Sequence, residues 1–77
     1  MTQSQARPTI LSDCQYNIVK QLEKELQFLW CVDGYIKDAE KEGDSKCAEA
    51  FRQIKADEEK HAKMLKELLS DFQRSKR

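Results

Sequence analysis

Glu58 and His61 lie three residues apart in the stretch Ala56-Asp57-Glu58-Glu59-Lys60-His61-Ala62-Lys63-Met64-Leu65. On an α-helix that spacing puts a carboxylate and an imidazole on one face, one above the other. The residues around them define which face. Phe51, Ile54, Glu58, His61, Leu65, Leu68 and Phe72 follow one another in steps of three and four, the rhythm of an apolar helical stripe. Two polar side chains thus occupy the middle of a line meant for the core. Burying an ionised carboxylate without a partner costs several kcal/mol, and a metal ion is the natural compensation.

The elements that must hold these groups are two long helices. Ser12 or Asp13 can cap the first. Its apolar positions run Cys14, Ile18, Leu22, Leu26, Leu29, Val32, Ile36 and Ala39, and Glu25 falls in the same line, three from Leu22 and four from Leu29. Glu23, Glu40 and Glu42 fall outside it and read as solvated. Gly34 interrupts the helix at a cost of about 1 kcal/mol relative to Ala, but Ile36 and Ala39 continue the stripe, so the helix reads through. Gly43 can end it in a left-handed conformation, and Asp44 or Ser45 can cap the second. The spacing predicts helix 1 over about 12–42 and helix 2 over about 45–72, with a flexible tail at 1–11 and a fraying end at 73–77. Lys55, Glu59, Lys63 and Glu67, each four apart with alternating sign, read as the solvated outer face of helix 2.

Composition narrows the function. In 77 residues, 36% are charged and 39% apolar, with two Gly and one Pro. This suits amphipathic helices and an all-α fold rather than a turn-rich β fold. Basic and acidic residues balance at 14 each, so no positive field exists for nucleic acid. No apolar run reaches membrane-spanning length, and no signal-peptide core precedes the helices. Cys14, Cys31 and Cys47 are odd in number and form no C-x-x-C pair. They fit small hydrophobes in a reducing cytoplasm better than a disulfide framework or a thiolate zinc site. Trp30 and Tyr35 read as packing residues, with electron relays as the alternative and a supporting place near the site also open to Tyr35, and Met64 reads as core or edge filler.

An antiparallel hairpin turning at Gly43 brings the polar residues together. At about 1.5 Å per residue, Glu25, Glu58 and His61 lie roughly 25, 20 and 24 Å from the turn, near the midpoint of both helices. One hairpin is too small to cover its own stripes, so dimerisation or a higher even-numbered assembly is expected. A two-fold copy doubles the set to four Glu and two His, the ligand set of ferritin-like dinuclear carboxylate bundles. Oxygen and nitrogen donors without thiolate point to iron first, two ions per dimer site, then manganese, with zinc as an adventitious occupant. A metal-free helical module that pairs through its stripes is the alternative from another class.

The stretch from Ala39 to Ala62, with Asp57-Glu58-Glu59-Lys60-His61-Ala62 at its end, resembles the first helical pair of the rubrerythrins in the ferritin-like superfamily. The glutamate of that family's first helix precedes the motif histidine by 36 residues, which here is Glu25. The resemblance covers roughly residues 12–70 and implies metal-ligand and catalytic roles for Glu25, Glu58 and His61. The half-size layout is similar to the short two-helix ferritin-like proteins, encapsulated ferritins among them, whose site forms between subunits. The resemblance implies oxidation of Fe(II) by oxygen or peroxide, or alternatively peroxide reduction with an external electron donor. No rubredoxin-like C-x-x-C pairs accompany the helices, and Ser70 to Arg77 reads as a helix end rather than a shell-targeting peptide.

Overall fold

The computed structural model describes residues 10–74, and the tail expected before Ile10 and the last residues of the fraying end lie outside them. Helix α1 spans Asp13–Lys41 and helix α2 spans Ser45–Arg74, two residues beyond the end expected from the stripe. Together they form the all-α antiparallel hairpin expected from the sequence.

Local chemistry sets both ends of α1. Ser12 begins α1 with a reciprocal capping box: its Oγ accepts from the Gln15 amide at 3.1 Å, and its own N–H donates to Gln15 Oε1 at 3.0 Å. Two orphan donors of the first turn are thereby satisfied. At the other end Gly43 adopts φ +72°. Its N–H reaches the Glu40 carbonyl at 3.0 Å, while that of Asp44 reaches Ala39 at 2.9 Å. This paired closure satisfies the last carbonyls of α1 and requires the left-handed residue that glycine supplies. Asp44 then starts α2 at once, its Oδ1 accepting from the Cys47 amide at 3.0 Å. A turn this short leaves the helices no choice but to lie antiparallel.

The seam between them follows a strict alternation of three and four. On α1 it runs Ile18, Leu22, Glu25, Leu29, Val32, Ile36 and Ala39, as the stripe predicts apart from Leu26 and Cys14, which are exposed. On α2 it runs Ala48, Phe51, Lys55, Glu58, Ala62, Leu65, Leu69 and Phe72. This corrects the expected register. Ile54 and Leu68 are 40% and 43% exposed, and His61 is exposed beside them. The apolar arc of α2 is wider than one neighbouring helix can cover. Ala48 and Ala62 let α1 approach on one side of that arc, so the line of Ile54, His61 and Leu68, seven apart, is left open.

Lys55 likewise departs from the solvated face assigned to it. It is half-buried at the seam, and its Nζ binds Asp33 Oδ1 across the helices at 2.9 Å. Arg52 reaches Glu40 of α1 as well as Glu49 of its own helix, the latter at 3.3 Å. Asp33 and Glu40 are seven apart, so these pairs line one edge of the hairpin. The opposite edge carries Phe28 and Tyr35, whose rings meet edge-on at 6.2 Å, and Phe51, 5.3 Å from Tyr35. Tyr35 therefore packs as expected. Trp30 does not: it is 88% exposed among the described residues. Met64 is an edge residue at 57% exposed.

Only Val32 is fully buried among the large side chains described, and the other buried apolar residues are Ile18, Ala39, Ala48 and Ala62. A fully buried large apolar side chain contributes about 1.5–3 kcal/mol, so this seam alone is a thin source of stability. No described helix is long and apolar enough to cross a membrane.

Two outcomes test this packing. A Cβ on Gly34 would meet nothing within 4 Å, so Gly34→Ala should stabilise the chain by up to about 1 kcal/mol, read from denaturant unfolding at fixed protein concentration. The second concerns pH. The hydrogen bond from Lys55 to Asp33, and then the Asp33 charge, raise the ammonium above its ordinary pKa. A raised lysine contributes stability below its unfolded pKa and loses it as pH rises through the folded one. Stability should therefore fall at the alkaline side of the lysine range, and Lys55→Met should remove that part of the decline.

Candidate metal centre

Glu25 comes from the middle of α1 and is buried, 8% exposed, in the seam. Glu58 comes from the facing turn of α2, with 26% of its side chain exposed, and His61 follows one turn on with 52% exposed. Each offers one ligand atom, and the three atoms all lie within 4.8 Å of one another. The structure thus brings together all three residues singled out from the sequence. It differs in where His61 stands: not within the seam but on the open line with Ile54 and Leu68, its Nδ1 3.4 Å from Glu58 Oε1.

Gln21 was not legible as part of this group. It sits one turn before Glu25 on α1, and its Nε2 donates to Glu25 Oε2 at 2.7 Å. The signal was present as an i, i+4 amide and carboxylate pair, but Gln21 lies outside the apolar stripe that singled out the other three. Its amide is the reason the buried carboxylate is satisfied: among the described residues no buried side-chain nitrogen or oxygen lacks a hydrogen-bond partner.

The electrostatics favour a cation. Two carboxylates whose oxygens lie within 4.8 Å of each other repel when both are charged. A divalent ion between them reverses that sign and is neutralised by the pair. Two carboxylate oxygens and an imidazole nitrogen suit iron, manganese or zinc rather than a thiolate-preferring ion. Cys14, Cys31 and Cys47 are free and stand outside the cluster.

Residues 3–75 match the family model of the ferritin-like domain. The chain therefore belongs to the ferritin-like family, with the fold and the carboxylate and histidine cluster just described. No curated protein and no solved structure matches it.

The cluster makes Glu25 a stability liability without metal. Replacing a buried charge by an apolar residue of similar size is commonly neutral or stabilising by about 1–4 kcal/mol. Glu25→Leu should raise the unfolding midpoint of metal-free protein while eliminating metal uptake in an equilibrium binding titration.

Proposed function

We propose that two copies of this hairpin pair across the face bearing Ile54, His61 and Leu68 and form a four-helix bundle with a dinuclear iron site. Its reaction is the oxidation of ferrous iron by oxygen or peroxide. The observation that carries this reading is the convergence of Glu25, Glu58 and His61 at the margin of that face in a ferritin-like chain. Three donors from one chain leave a metal ion incompletely enclosed. A second chain related by a two-fold axis supplies the rest, giving four carboxylates and two imidazoles. Four negative charges then match two divalent cations, one per chain.

In this scheme iron is the substrate. Each of a pair of ferrous ions gives up one electron, and dioxygen takes both electrons with two protons to become hydrogen peroxide. The residues of the chain hold and orient. Glu25, fixed in the seam, and Glu58 neutralise the incoming cations, and His61 supplies a neutral nitrogen donor from the open side. Phe28 and Ile54, each one helical turn from a cluster carboxylate, keep the interface apolar there, so a cation reaching it has few other polar groups to engage.

Anaerobic loading with ferrous iron, followed by metal analysis and mass measurement, should give about one iron per chain in an even-numbered assembly. On adding oxygen, Glu58→Ala and His61→Ala should oxidise iron no faster than buffer while keeping the parental helical content. Parental rates in either variant would reject the assignment. Faster consumption of hydrogen peroxide with a supplied electron donor than of oxygen with ferrous iron would move the activity to peroxide reduction at the same residues. A dimer of unchanged stability that takes up no iron would make the chain a metal-free pairing module.

A further inference from the structure

We propose that Gln21 is a positioning residue of the metal centre, a role that rests on the metal-binding reading above. Its side-chain amide holds the Glu25 carboxylate in the orientation that brings it to Glu58 and His61. Three observations converge. The Gln21 Nε2 to Glu25 Oε2 distance is 2.7 Å, at the short end of the N–H···O range. An ionised carboxylate has only acceptor sites, so the amide must present its NH₂ end to it. Glu25 is also the buried member of the cluster, and Gln21 is the hydrogen-bond donor the structure gives it.

The geometry explains why one turn of helix is the useful spacing. Gln21 and Glu25 are four apart and therefore adjacent on the α1 surface. The amide approaches the carboxylate from the N-terminal side, leaving the carboxylate free to meet α2. One oxygen is engaged before any cation arrives, so a flexible three-torsion side chain is already confined when the metal binds. Gln21 itself is exposed and makes no part of the seam. Its contribution is thus to the geometry of Glu25 and not to the core, and partners of this kind commonly tune metal affinity by 10–100-fold.

The test is a Co(II) titration of the full chain, followed through binding affinity and the visible absorption spectrum of the bound ion. Gln21→Met keeps length and helix propensity but has no N–H. Gln21→Asn keeps the amide but is one methylene too short to reach. Both should bind Co(II) about 10–100-fold more weakly with an altered spectrum, while helical content and assembly mass stay parental. Parental affinity and spectrum in either variant would overturn the positioning role and leave the metal site intact. A parent chain that binds no Co(II) sensitive to Glu58→Ala would overturn the metal reading and this role with it.

Discussion

Two carboxylates in the seam of a two-helix hairpin are the constraint from which the rest follows. Lys55 apart, the seam positions near them are apolar, so Glu25 and Glu58 forfeit hydrophobic burial and bring mutual repulsion instead. The chain tolerates this because the repulsion is local and its flanks are well determined. Ser12 and Gln15 fix the start of α1; Gly43 and Asp44 fix the turn. Asp33 with Lys55 and Glu40 with Arg52 fix the edge. Exposed ion pairs add little stability individually, but pairs that cross between helices select one register, and register is what brings position 25 level with position 58.

The division of the hairpin into two unlike edges has a physical origin in the same seam. Cross-helix ion pairs on one edge keep that edge wet. The other edge presents Phe28, Tyr35, Ile54, His61 and Leu68, apolar except for the imidazole. A hairpin has one seam and α2 has more apolar arc than one seam can bury, so the surplus must go somewhere. That surplus is continuous with the cluster, which is why association and metal binding belong to a single proposal. If metal binds only the paired chains, its binding free energy adds to the stability of the pair.

Much of this was legible from residue spacing. The helices, a cap at Ser12 or Asp13, the stop at Gly43 and the convergence of Glu25, Glu58 and His61 follow from periodicity and turn chemistry, and the structure settles the cap at Ser12. The register of α2 did not, because Phe51, Glu58, Leu65 and Phe72 belong to either of two seams: one through Ile54, His61 and Leu68, the other through Lys55, Ala62 and Leu69. Hydrophobicity favours the first. The second wins because alanine at 62 permits close approach, and because the Lys55 stem can lie along the seam with its ammonium at Asp33. Trp30 failed for a related reason. An aromatic residue in an amphipathic helix implies packing somewhere, but its period does not say against which surface.

The register has a consequence for the chemistry. In the seam expected from hydrophobicity His61 would point at α1 beside Glu58, and the three donors would face one another inside the hairpin. In the observed seam they are graded from inside to outside: Glu25 buried, Glu58 about a quarter exposed, His61 about half exposed. The ligand atoms therefore open toward the uncovered edge. Had all three been enclosed, they could satisfy one another and the hairpin would be complete alone. Graded outward, they leave the imidazole with a carboxylate 3.4 Å away on one side and the uncovered apolar edge on the other. Displacing His61 by one position from the predicted line is thus what makes a three-residue cluster suited to a site shared between two chains.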